Sequence, residues 1–273
     1  MNKKTKNIIC AVIAIIIACI FLFPVYWAFL CSFKTDGEIF ANPPTFFPRE
    51  FTAIAYVEQF QTIVKPFINS TIIAVSSMIF SLLLSLPAGY GLGRFRVKGL
   101  SAFILIFLVT QMLPPSLVLT PLYLIYSKIH LLNTYWAPIF ATATVSIPFV
   151  VLLLRPIFAD SPKELEESAK IDGCNTFTSF LKIALPISKP GIVTAACFGF
   201  VMAWNDLAYS MTFNIKPAMR PLTAGIYQFM NKYGTQWNKI LAYGIILILP
   251  PIILFISMQK YIIKGLVSGA VKG

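Results

Sequence analysis

The 273-residue chain is 58% hydrophobic and only 12% charged, with a mean hydropathy of +0.79; a soluble domain carries roughly 25% charged residues, so an ordinary soluble fold is excluded. The formal net charge of +12 does not mark a nucleic-acid binder, because the basic residues sit in short clusters beside apolar runs, as orienting charges do in membrane proteins. A single histidine, His130 in a loop, and the lack of a GxxxxGK[ST] phosphate loop exclude a His-based metal cluster and ATP binding by that loop, and leave little basis for a His-paired nucleophile.

A bilayer is crossed by about 20 apolar residues rising about 1.5 Å each. Runs of that kind predict six transmembrane helices at 8–30, 66–93, 100–127, 131–154, 190–211 and 240–259. The expected fold class is an all-α integral membrane protein, with 1–273 as a single transmembrane domain. The start MNKKTK imitates a signal peptide, but apolar sequence continues past Cys19 to Leu30, too long for a signal h-region. It is therefore read as an uncleaved first span. An even number of spans puts both termini on one side. Segments 3–6, 94–98, 155–189 and 260–272 hold 14 of the 22 Lys and Arg residues, which makes that side, and both termini, cytoplasmic. Cys10, Cys19, Cys31 and Cys197 lie in or beside spans and Cys174 in a loop, so no disulfide framework is expected.

Between the first two spans, the outer segment 32–65 is rich in Pro and aromatic residues. It reads as a loop packed on the membrane face or a partner. In the second span Gly89 and Gly93 make a small-xxx-small face for close helix packing. Pro87, Pro114-Pro115, Pro121, Pro148 and Pro250-Pro251 interrupt spans, and the carbonyls they free need partners in protein or a wet cavity. Such breaks suit irregular packing, or a pathway through a bundle that changes shape. Asp206 is the one ionisable residue inside an apolar stretch. It is a functional candidate by default, or a helix cap near the outer end of the fifth span. The outer segment 216–239 carries Tyr227, Phe229, Tyr233 and Trp237. Tyr227, Met230 and Gly234 recur at helical spacing, as do Phe229, Tyr233 and Trp237, which predicts an amphipathic helix in part of it.

The main inner feature is 155–189. Ser161-Pro162 suits a helix start. Glu164, Glu166 and Glu167 follow at the positive end. Leu165, Ser168, Ala169 and Asp172 share a face with a small middle, and Gly173 permits a left-handed ending. A second helix is expected through Phe177, Phe180, Leu181 and Ala184, closed by Leu185-Pro186. Any amphipathic linker lying on the membrane has similar features, but a small flat face also suits a groove on another protein.

Glu167-Ser168-Ala169, three residues, Gly173, nine residues, Ile183, one residue, Leu185-Pro186 resembles the E-A-A-x3-G-x9-I-x-L-P loop of ABC importer permeases, with Ser168 in place of the usual second alanine. Pro24-Val25-Tyr26-Trp27, Ser32-Phe33-Lys34-Thr35, Asn69-Ser70, Ala88-Gly89-Tyr90, Gln111-Met112-Leu113-Pro114, Pro121-Leu122-Tyr123, Trp204-Asn205-Asp206 and the ending GLVSGAVKG resemble its maltose/oligosaccharide-type branch. The resemblance implies the smaller six-span permease of a heterodimer in a bacterial plasma (inner) membrane. Beneath it would sit two ATPase subunits, which bind the ATP and Mg that this chain does not; an extracytoplasmic solute-binding protein would dock above. Glu164, Leu165, Glu167, Ser168, Ala169, Asp172, Gly173, Leu185 and Pro186 would then form the ATPase-coupling site. Within it Glu167 would anchor, Ala169 would permit close approach and Gly173 would turn the chain. Tyr227, Phe229, Tyr233 and Trp237 would contact the binding protein, Gln111, Asn205 and Asp206 would be pathway candidates, and the tail 268–273 would lie between the ATPases. No cofactor, metal or catalytic residue is expected in the chain itself. A gradient-driven secondary transporter is the alternative, with Asp206 its one ionisable residue in a span. A membrane enzyme lacks a catalytic constellation.

Overall fold

The computed structural model describes residues 3–231 and 234–270, with side chains over 5–230 and 234–261. In chain order its helices are α1 (Lys3–Cys31), α2 (Asp36–Ile39), α3 (Ile54–Arg94), α4 (Leu100–Met112), α5 (Pro115–Lys128) and α6 (Trp136–Asp160). Then come α7 (Lys163–Ile171), α8 (Thr176–Ser179), a π-turn (Phe180–Ala184), α9 (Leu185–Ile187), α10 (Lys189–Trp204) and α11 (Ala208–Phe213). A 3₁₀ helix (Leu222–Phe229) leads into the strands β1 (Met230–Asn231) and β2 (Gly234–Thr235), which pair antiparallel before α12 (Trp237–Ala270). Residues 271–273 of the tail fall outside the described residues.

Helices α1, α3, α6 and α12 are long and apolar enough to cross a membrane. Two more spans are obtained if the bent pair α4–α5, at 94°, and the run Thr176–Ile187 with α10, at 82°, each count as one. The predicted spans 8–30, 66–93 and 240–259 lie inside α1, α3 and α12. The predicted span 131–154 is displaced to Trp136–Asp160. Its first residues, with His130 before them, form a turn instead: His130 and Asn133 take positive φ, and the Asn133 side-chain oxygen accepts the N–H groups of Ile215 and Lys216. The helices run through Pro87, Pro121, Pro148, Pro250 and Pro251. Only the expected break at Pro114-Pro115 parts two helices: Leu113 and Pro114 are extended and Pro115 starts the next helix, where a missing N–H costs nothing. The predicted span 190–211 is two helices, α10 and α11, parted at 205–207.

The chain forms two compact units. In the first, residues up to Val64 with Gly225–Leu249, segment 32–50 folds upon itself. Lys34 is buried; its ammonium donates to the Thr45 carbonyl and lies 4.9 Å from the Trp27 ring centre. The Glu38 carboxylate accepts from the Thr45 hydroxyl and the Arg49 N–H, both at 2.8 Å. Asp36 accepts the Asn238 N–H at 2.9 Å, in the first turn of α12.

The second unit, Lys65–Ala224 with the residues from Pro250, is organised around α6. More than half of the apolar stretch of α6 is buried inside the chain, whereas none of that of α1 is. A column of buried serines on α3, Ser77, Ser81 and Ser85, meets Thr142 Oγ1 at 2.8 Å, Ser146 Oγ at 3.1 Å and the Ile147 carbonyl at 3.4 Å on α6. In lipid such interhelical bonds contribute about 0.6 kcal/mol each on average. Their small partners also let the backbones approach. A Cβ on Gly93 would stand 2.6 Å from the Arg155 carbonyl oxygen, and one on Gly89 2.9 Å from Leu154 Cβ. The small-xxx-small face predicted from the sequence is the contact of α3 with α6.

Candidate functional site

The loop between α6 and α10 is built on the end of α3. Arg94 Nη1 donates to the Ser161 carbonyl at 2.8 Å and Nη2 to the Pro162 carbonyl at 3.2 Å. Nη2 also pairs with Glu166 Oε1 at 2.9 Å. The other oxygen, Oε2, accepts the Tyr90 hydroxyl at 2.7 Å. Glu166 is only 5% exposed, and a buried carboxylate is tolerable when both oxygens are taken up this way.

This arrangement changes the expected start of α7. Ser161 does not cap it: Ser161 closes α6, and its hydroxyl turns back to the Ile157 carbonyl at 3.1 Å. Pro162 precedes α7 and no side chain caps that end; Arg94 fixes the chain there through the two carbonyls. The end of α7 follows the sequence reading. Gly173 sits at φ +88°, with Gly173 N–H to Lys170 O at 3.1 Å and Cys174 N–H to Ala169 O at 2.9 Å. These are the two bonds of a Schellman ending.

Of the coupling residues expected from the sequence, Glu164, Leu165, Glu167, Ser168, Asp172 and Gly173 lie on the exposed side of the turn. Ala169 does not. It is buried beside Glu166 on the inward face, so the close approach it allows is to its own chain. Reasoning from sequence missed Glu166. The usable signal was Tyr90 and Arg94, one turn apart at the end of a span, in a chain whose next acid-rich stretch is 164–167.

Asn175 opens the next helix by accepting the Thr178 N–H at 2.8 Å. The run does not close at Leu185-Pro186 but continues through both to Ile187. Pro186 has no N–H to continue the α pattern. A π-turn precedes it, with Leu185 N–H reaching Phe180 O, and such widened turns are inserted where the regular ladder fails. Phe180 thereby reaches Tyr90, ring centres 4.9 Å apart, in a cluster with Val150, Leu154 and Phe158. Leu185 packs against that cluster, and Pro186 is exposed.

Gln111 Nε2 donates to the Val145 carbonyl at 3.0 Å, tying α4 to α6. Asn205 is exposed at the end of α10. Asp206 makes the contacts of a cap: it accepts the N–H groups of Tyr209 and Ser210 at 3.1 and 2.9 Å and the Ser210 hydroxyl at 2.7 Å. Its own carbonyl accepts the Thr223 hydroxyl at 2.7 Å.

The four loop aromatics separate. Tyr227 and Trp237 are 54% and 44% exposed, the latter edge-on to Phe40. Phe229 is buried against Tyr243, so it offers no surface to a partner. Tyr233 lies outside the described residues. The expected amphipathic helix is not seen: the 3₁₀ helix ends at Phe229, the paired strands β1 and β2 follow, and Trp237 begins α12.

Residues 85–268 match the family model described as the binding-protein-dependent transport system inner membrane component. Similar proteins span nearly the whole chain. The probable ABC transporter permease protein YurM of Bacillus subtilis is 37% identical over 92% of this chain and 84% of its own. The diacetylchitobiose uptake system permease protein DasC of Streptomyces coelicolor is 34% identical over 92% of both. The arabinooligosaccharides transport system permease protein AraQ of Halalkalibacterium halodurans is 32% identical over 100% of both. A chain in the crystal structure of a bacterial ABC transporter involved in the import of the acidic polysaccharide alginate shares the fold. Its TM-score is 0.77, covering 96% of this chain and 99% of that one, at 21% identity.

Proposed function

The chain belongs to the binding-protein-dependent inner membrane components, and from that premise we propose that it is the permease subunit of an ABC importer for a di- or oligosaccharide or a related compound. The observation that carries the sugar reading is similarity along the whole chain to permeases of diacetylchitobiose and arabinooligosaccharide uptake. The chain is a multi-pass inner-membrane permease and not itself an enzyme. In the proposed assembly it forms one six-span permease domain, with both termini cytoplasmic. A second permease completes the pathway, two ATPases bind and hydrolyse ATP with Mg, and a solute-binding protein delivers the sugar from outside.

Helix α7 is then the coupling helix. Its exposed acids, Glu164 and Glu167, and the small Ser168 between turns supply a face for a cleft on the ATPase. The Schellman turn at Gly173 stops the helix after nine residues, so the element stays short enough to seat as a peg. ATPase closure would move α7 and open the spans outward. A gradient-driven transporter is the weaker reading, because the carboxylate of Asp206 serves α11 as a cap. Co-purification with two ATPases and a second permease, together with sugar uptake in reconstituted vesicles, tests the proposal. Glu167→Lys should leave the complex assembled and ATP hydrolysis present while uptake is lost. Uptake equal to wild type in that variant would remove α7 from the coupling role.

A further inference from the structure

Within the second unit, one helix grips both an outer and an inner segment. Near one end of its buried run, Asn69 Nδ2 donates to the carbonyls of Ala218 and Arg220, each at 2.9 Å, and Oδ1 accepts the Tyr135 hydroxyl at 2.7 Å. The next residue, Ser70, accepts the Leu222 N–H at 2.8 Å. Both side chains are buried. The backbone of 218–222, the root of the outer loop, is thus fastened to α3. Toward its other end α3 holds the inner loop through Arg94 and Tyr90, which take the carbonyls of Ser161 and Pro162 and the carboxylate of Glu166.

Asn69 and Arg94 stand 25 residues apart in a helix that continues past Pro87, about 37 Å at about 1.5 Å per residue. That length matches a hydrocarbon core of about 30 Å with its margins. Between the two grips the serine column and the Gly89/Gly93 approach join α3 to α6 along its length. Each grip centres on a buried polar side chain, Asn69 at one end and Glu166 at the other. Either can slip only by leaving donors or acceptors unpaired, which opposes independent motion of the segments it holds.

We propose that α3, from Asn69 to Arg94, is the strut that makes the root of the outer loop and the coupling helix move together. Asn69 is the positioning residue at one end and the Arg94–Glu166 pair at the other. This rests on the reading of α7 as the element that docks on the ATPases. A nucleotide-driven displacement of α7 is carried through Glu166 to Arg94, along α3, and out through Asn69 to 218–222.

Hydrogen exchange on the full complex in nanodiscs, with and without Mg·AMP-PNP as the probe, tests it. In the wild type the nucleotide changes exchange in both 163–173 and 218–224, by about fivefold or more, the scale of coupling between linked sites. In Glu166→Gln, which keeps the shape and loses the charge, the change at 163–173 persists and that at 218–224 is lost. Asn69→Ala gives the same pattern from the other end. Arg94→Lys serves where either variant assembles poorly, because it keeps the charge and drops the double grip on the carbonyls. A response of 218–224 equal to wild type in these variants overturns the strut alone. A wild-type complex in which 163–173 does not respond overturns the docking reading, and the strut with it.

Discussion

The carboxylate of Glu166 and the guanidinium of Arg94 are both nearly out of solvent, at 6% and 7% side-chain exposure. Removing one partner of such a pair strands the other, which costs about 3–5 kcal/mol. Glu166→Ala should therefore lower the thermal unfolding midpoint of the purified complex markedly. The double variant Glu166→Leu with Arg94→Met should recover most of the loss, since replacing a whole buried pair by apolar groups is often neutral. Recovery of stability without recovery of uptake would separate the transport role proposed for the pair from its role in folding. Glu38 provides a contrast. The Arg49 N–H, foremost, with help from the Thr45 hydroxyl, the Glu50 backbone and Lys34, holds its carboxyl below the ordinary value against a smaller opposing effect of burial. A lowered folded-state pKa stabilises the folded state above the ordinary carboxylate range, and the contribution is lost as pH falls through the lowered value. Limited proteolysis within 40–50 should accordingly speed up on acidification, and Glu38→Gln should remove that pH dependence.

At the scale of elements, α3 and α6 touch through backbone, so their packing tolerates no added carbon at the contact. Gly93→Ala places a methyl 2.6 Å from the Arg155 carbonyl oxygen, and the two helices must part to admit it. Overpacking of this kind costs about 1–3 kcal/mol, and the loss should appear as reduced yield of folded complex. Ala at Gly91, where nothing lies within 4 Å, should be close to neutral in the same assay. Helix α7 stops by a different device. Gly173→Ala forces a Cβ into the left-handed region at about 1–2 kcal/mol. The amides of residues 173 and 174 should then exchange faster while those of α3 are unchanged.

At the scale of the whole molecule, the proposed docking of a binding protein turns on which aromatics of 216–239 are exposed. Tyr227 and Trp237 are exposed on the first unit and Phe229 is not. Aromatic anchors of an interface commonly cost about 2 kcal/mol or more on truncation, about a thirtyfold loss of affinity. Tyr227→Ala or Trp237→Ala should raise the binding-protein concentration giving half-maximal ATPase stimulation by about that factor, with basal ATPase unchanged. Phe229→Ala should instead destabilise the loop, because it removes a ring from beneath Tyr243. An unshifted midpoint in both exposed variants would leave these rings as membrane-surface residues.

Apolar run length by itself determined that the chain is a helical membrane protein, because about 20 apolar residues have few other stable homes. The spacing from Glu167 to Pro186 singled out the loop between α6 and α10, and Gly173 and Gly89/Gly93 named the turn and the contact that only glycine permits. Those features are local: each is fixed by a few neighbouring residues. What tertiary structure decided are the pairings between residues far apart in the chain. No spacing rule joins Glu166 to Arg94 or Asn69 to Ala218, since their meeting depends on how α3 packs. Ala169 turned inward for the same reason, because Glu166 fixed which face of α7 is buried. Pro114 broke its helix while Pro87 and Pro148 did not. A proline removes one donor wherever it stands, and the surrounding packing determines whether the helix continues past it.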